Sequence, residues 1–206
     1  MQIESLAGII FGLALSIGAI SLLGKPPSSP AGVLIALVAF GFSFLILISI
    51  WFRYTNIMSV LPVETTGTIF LNAVLLFLVS IEPYLLSLIV LGSAQAPGVA
   101  VLIFASEAYA LDLAGLTAIM GLLAHQLTNE DRKLVEPELM DKYRNIRNLQ
   151  FVSAFLFAIT ALPPFWSWQI IGRPSRFYLW YAILTITWIS RLIGRSKRVS
   201  PKRLNS

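Results

Sequence analysis

The sequence has no cysteine and a single histidine, His125, among 206 residues. Disulfides, thiolate metal sites and histidine-rich metal clusters are therefore excluded. Charge is scarce as well: Asp, Glu, Lys and Arg make up 12% of the chain, against 57% hydrophobic residues. A soluble domain of this length has too little interior for so much apolar surface, so the composition implies an integral membrane protein. The first basic residue is Lys25, so the charged start of a secretory signal is missing, and no lipidation motif stands at either end. Enzyme signatures are missing too, with no GxSxG, no phosphate-binding glycine loop and no His/Asp/Glu cluster in loops. No catalytic residue, metal ligand or cofactor is expected, and no nucleic-acid or soluble partner.

What the chain has in quantity is long apolar runs. Crossing the hydrocarbon core takes about 20 apolar residues. Six runs approach that length, at about 5–23, 31–52, 66–92, 97–124, 149–165 and 177–194. Turn-forming segments separate them: "GKPPSSP" from Gly24, "GSAQAPG" from Gly92 and "PPFWSWQIIGRPSR" from Pro163. Trp166, Trp168, Phe177, Tyr178, Trp180 and Tyr181 gather around the last of these, as aromatic residues do at a bilayer interface. The expected architecture is a single all-α membrane domain over 1–206, with six transmembrane helices and a basic tail at 195–206.

Basic residues set the orientation. With the N-terminus inside, twelve of the fifteen Lys and Arg residues fall in cytoplasmic segments, and only Lys25, Arg173 and Arg176 fall outside. Both termini are thus expected in the cytoplasm. The long inner segment His125 to Asn148 reads as mostly helical. Pro137 suits a first helical position, and Leu139, Tyr143 and Ile146 share a face of a helix running into the fifth span. "NEDR" at Asn129 reads as a helix start with acids near its N-terminus. The tail "RSKRVSPKR" is a stop-transfer cluster, or a contact for anionic lipid heads.

The first run, "ESLAGIIFGLALSIGAISLL", carries Gly8, Gly12 and Ser16 at four-residue spacing. Glycine in a helix interior costs about 1 kcal/mol against alanine. In lipid, small residues at this spacing let helix backbones approach closely. At about 100° per residue the stripe covers about 80° of the helix, and Leu13, Ser16 and Ile20 cover about 60° beside it. Two readings are open. Gly8 and Gly12 pack within one subunit while Ser16 bonds back to its own helix. Alternatively, copies of the helix surround an axis, and Leu13, Ser16 and Ile20 line a narrow throat.

Glu82, Glu107 and Asp112 lie within the third and fourth runs, with no Lys or Arg at comparable depth. A charged residue facing lipid at mid-membrane costs about 2.5–3.5 kcal/mol on an insertion scale. These three are therefore expected to face the interior, either as a cation-attracting or proton site or as protonated carboxyls bonding between helices. "TTGTIF" at Thr65 resembles a TVGYG filter but lacks its second glycine and any preceding pore helix, so carbonyl-based selectivity is not expected.

Residues across the chain also resemble a known family. "LNAVLLFLVSIEP" (Leu71 to Pro83) resembles the "LN…FVSLLPFP" signature of the transmembrane protein 175 family of potassium channels, which have no P-loop. "SFLILISIW" (Ser43 to Trp51) is similar to its "SFLVIAIYW", and "EAYALDLAGL" to its tyrosine-bearing fourth helix. The chain departs from the family in its first helix. Gln2 and Leu6-Ala7-Gly8 stand where the family has Arg-x-x-x-Phe-Ser-Asp. Arg53, Tyr54 and Thr55 follow Trp51 in place of the "W-x-N-H-H" ending. The resemblance implies a homotetramer in a prokaryotic plasma membrane, with K+ as the permeant ion. Its first helices would line the pore, with constriction residues at Leu13, Ser16 and Ile20. The alternatives carried forward are a proton-conducting or proton-coupled protein using the carboxylates, and a non-conducting scaffold.

Overall fold

The computed structural model describes residues 2–23, 29–61, 65–92, 98–129 and 134–199. The linkers at 24–28 and 93–97, Glu130 to Lys133 of the "NEDR" segment, and the tail beyond Val199 lie outside them. The described chain is helical apart from one short hairpin. Its elements are α1 (Gln2–Leu23), α2 (Pro30–Met58), α3 (Thr66–Gly92), α4 (Val99–Leu127), α5 (Pro137–Thr160), α6 (Pro164–Ser167), β1 (Gln169–Ile170), β2 (Arg173–Pro174) and α7 (Ser175–Val199). They form two compact units, Met1–Leu162 and Pro163–Ser206.

Local chemistry sets the helix ends. Ser29 caps α2, its Oγ accepting from the Gly32 N–H at 3.2 Å, with Pro30 in the first turn, where its missing N–H has no intrahelical partner. Thr65 Oγ1 accepts from the Thr68 N–H at 3.3 Å at the start of α3. The threonines that resemble a filter are thus a helix cap. Thr68 Oγ1 also donates to Gln126 Oε1 at 2.7 Å, tying α3 to the end of α4. Pro137 opens α5, and that helix continues unbroken to Thr160, as the sequence indicates.

Among the described residues three helices are long and apolar enough to cross a membrane: α2, α3 and α4. α1 contributes a shorter apolar segment, Leu6–Ile20. Together with the composition, these make the chain an integral membrane protein. In the first unit α1 packs on α3 and α2, α3 on α4, and α4 on α5. Gly121 makes the last contact possible, since a Cβ there would stand 3.0–3.3 Å from the Phe151 ring. Arg147 donates to Thr128 Oγ1 at 3.2 Å and lies 3.4 Å from His125 Nδ1, fastening the polar half of α5 to the end of α4.

In the second unit, the segment expected as a plain linker holds α6 and a hairpin. Gln169 pairs with Pro174 and Ile170 with Arg173 across a two-residue turn, where Ile171 and Gly172 have φ of 50° and 70°. Positive φ at both central positions is the type I′ signature, which matches the twist of paired strands. Below it Phe177 meets Trp166 and Trp180 edge to face, at 6.4 and 5.2 Å, and the Arg176 guanidinium lies 5.4 Å from the Trp166 ring centre. Of the six aromatic residues read as a cluster from the sequence, Trp166, Phe177 and Trp180 thus pack around the start of α7, while Trp168, Tyr178 and Tyr181 are exposed.

Candidate functional site: the outer face of α1 and a buried carboxyl pair

α1 has two faces. Ala7, Phe11, Ala14 and Gly18 are buried, and at about 100° per residue they fall within about 60° of one another. Ser16 is placed opposite that stripe, at about 180° from Ala7, and Leu13 and Ile20 lie about 60° and about 40° to one side of it. Leu13 and Ile20 are 57% and 63% exposed, and Ser16 is exposed too. The three residues expected to share a face do so, and nothing among the described residues covers that face. The Ser16 hydroxyl donates to the Gly12 carbonyl at 2.9 Å.

The two glycines are not equivalent. A Cβ on Gly8 would stand 3.2 Å from the Trp51 ring, so Gly8 is where α1 closes onto α2. Gly12 has nothing within 4 Å. Phe11 joins Trp51 at 5.2 Å and Tyr54 at 6.2 Å, and Trp51 stacks on Tyr54 at 6.3 Å. An aromatic cluster therefore holds α1 to α2 at the level where the first-helix hallmark is replaced. Leu6, Ala7 and Gly8 offer no side-chain polar atom there.

The carboxylates separate into two groups. Glu82 is fully buried, and both its oxygens are taken: Ser43 of α2 donates to Oε2 at 2.6 Å, and Tyr109 of α4 donates to Oε1 at 2.8 Å. Asp112 follows Tyr109 by three residues, about 60° away on the same face of α4. It is 4% exposed and within electrostatic reach of Glu82. Glu107 projects about 140–160° away from Tyr109 and Asp112 and is partly exposed. Two of the three carboxylates are thus buried in the bundle and the third is turned elsewhere. Ser43 and Tyr109 are the site residues that sequence reasoning missed. The three-residue interval from Tyr109 to Asp112 marks one helix face, but nothing local aims that face at Glu82.

Among the described residues no group of three or more His, Cys, Asp or Glu is placed to hold a metal ion. The arrangement can do two physical things. It can present an aliphatic and hydroxyl surface to copies of itself, and it can hold charge or a proton inside the bundle.

The fold is found among solved structures. The chain superposes on the crystal structure of a lysosomal potassium-selective channel TMEM175 homolog from Chamaesiphon minutus, with a TM-score of 0.62 at 17% sequence identity. The match covers 94% of this chain and 96% of that one, so the fold is shared end to end. No protein-family model and no curated protein matches the sequence.

Proposed function

We propose that the chain is the subunit of a passive monovalent-cation channel that conducts K+. Four copies assemble around an axis lined by α1, with six spans each and both termini in the cytoplasm of a prokaryotic cell. The observation that carries this reading is the two-sidedness of α1. One stripe seats the helix in its own subunit, while Leu13, Ser16 and Ile20 stay exposed on the far side. Exposed aliphatic groups are at home in lipid, but the shared fold with a solved potassium-selective channel favours an axial position. The charge distribution supports the orientation.

In such an assembly Leu13 and Ile20 form two apolar rings, and Ser16 forms a hydroxyl ring between them. Water leaves a narrow apolar ring readily, so the rings act as a gate and the hydroxyls offer the ion a partial replacement for its hydration shell. The chain supplies no carbonyl filter of the TVGYG kind at "TTGTIF", because that segment caps α3.

The test is rubidium or potassium flux from liposomes containing the purified protein, with the oligomeric state measured on the same sample. Flux from a tetramer, altered by Leu13→Ala and Ile20→Ala, supports the proposal. A silent tetramer, or conductance indifferent to both substitutions, refutes it. Proton flux abolished by neutralising Glu82, Glu107 and Asp112 favours the proton-coupled alternative, and a silent monomer or dimer favours the scaffold.

A further inference from the structure

α4 and α5 run antiparallel, and two contacts fix their register. Arg147 meets Thr128 and His125 at one level. Phe151 lies against Gly121 at the next, one turn further along each helix. Both helices change character between these levels. Arg147 is the last charged residue of α5, which runs from Asn148 to Thr160 without charge. His125 is the first titratable residue of α4 after Asp112. The polar level is therefore where the helix pair leaves the hydrocarbon, at the depth of lipid headgroups.

Arg147 is held there by groups that are not acids. Its Nε donates to Asn148 Oδ1 at 3.1 Å, and its Nη1 donates to Thr128 Oγ1 at 3.2 Å and lies 3.4 Å from His125 Nδ1. Among the described residues no carboxylate pairs with it, and its Nη2 makes no bond. The C-terminal dipole of α4 supplies only about half a counter-charge. Between Asp141 and Arg147, α5 carries Lys142, Arg144 and Arg147 against Asp141 alone, so positive charge is in excess at this level. Beyond it the same seam is apolar. Leu122, next to Gly121 in α4, is exposed, and Phe155, one turn past Phe151, is 65% exposed. Arg147 and Phe155 are eight residues apart, about 12 Å along α5.

We propose that the seam between α4 and α5 binds an anionic phospholipid, with its phosphate on Arg147 and an acyl chain along Phe151, Leu122 and Phe155. A guanidinium presents paired N–H donors that match two phosphate oxygens. The net negative charge of the lipid supplies the counter-ion that the chain does not. Free phosphate would fill the polar half alone and leave the apolar half bare, and a zwitterionic lipid brings a cation of its own. The site is complete within one chain and does not rest on the channel reading.

Fluorescence quenching in lipid tests it. The chain has no cysteine, so a bimane label can be placed through Leu122→Cys, and through Ile186→Cys at an exposed position of α7 as a control. Brominated phosphatidylglycerol and brominated phosphatidylcholine are compared as quenchers in phosphatidylcholine vesicles. Beside Leu122 the anionic lipid should be favoured by about fivefold, the worth of one basic residue at an anionic surface. Beside Ile186 no preference is expected. Arg147→Gln should abolish the preference, and Arg147→Lys, which keeps the charge without the fork, should retain part of it. Equal quenching by the two lipids beside Leu122, or an undiminished preference in Arg147→Gln, overturns the proposal. Quenching by neither lipid overturns it in favour of a second copy of the chain covering the seam. Loss of the preference on adding inorganic phosphate at constant ionic strength overturns it in favour of a site for the free anion. Comparing Leu122 with Ile186 needs no change at Arg147, so it decides even if Arg147→Gln does not fold.

Discussion

Single hydroxyls decide what the bundle can hold. The Ser43 and Tyr109 bonds to Glu82 join residues 39 and 27 positions apart in sequence and tie α2, α3 and α4 together at one buried point. Removing one donor from a buried acceptor costs about 1–3 kcal/mol. Tyr109→Phe should therefore lower the thermal midpoint in detergent clearly, and Ser43→Ala should do the same. Because the two share an acceptor, the double variant should lose less or more than the sum, and calorimetry on all three reads that coupling. Strict additivity would show that the bonds act independently. None of this was legible locally. The sequence marked Glu82 and Asp112 as costly in a membrane, but a carboxylate's partner depends on which helices pack together, and an apolar run carries no record of that.

At the scale of the element, the glycines of α1 separate packing from exposure. Gly8 sits 3.2 Å under Trp51, so a larger side chain must push the helices apart, and overpacking of this kind costs about 1–3 kcal/mol. Gly8→Leu should thus destabilise the isolated subunit. Gly12→Leu meets open space and should leave unfolding in detergent within about 0.5 kcal/mol, as surface substitutions do. If α1 lines an axis, Gly12→Leu should nonetheless weaken assembly or flux, because its bulk enters the face beside Ser16. Equal effects of the two substitutions on subunit stability would contradict this division.

The hairpin offers a second element-scale test. Ile171 is a β-branched residue at φ 50°, where Asn is far better tolerated. Ile171→Asn should tighten the turn and slow hydrogen exchange at the Ser175 amide, which bonds the Trp168 carbonyl at 2.8 Å. Unchanged or faster exchange would show that the turn is not under strain. Helices were readable from apolar length and from caps such as Ser29 and Pro137, because those signals are local. The hairpin was not readable, since two-residue strands have no periodicity and an isoleucine is no signal for a left-handed turn.

For the whole molecule the question is what lies against the uncovered face of α1. Lipid and a symmetry axis make opposite demands on Leu13 and Ile20. Against lipid, replacing either with Asn exposes an amide to hydrocarbon, which lowers stability and leaves ion permeability at the background of empty liposomes. Around an axis the same substitution turns an apolar ring into a polar one, which keeps water in the constriction and removes a dewetting barrier. The second case predicts that Leu13→Asn and Ile20→Asn raise potassium flux severalfold over the unsubstituted protein while the tetramer stays intact. The increase should be greatest at the narrower ring, so comparing the two variants also locates the gate. Reduced stability with background flux in both variants would put α1 against lipid, and the shared fold would then serve some other purpose.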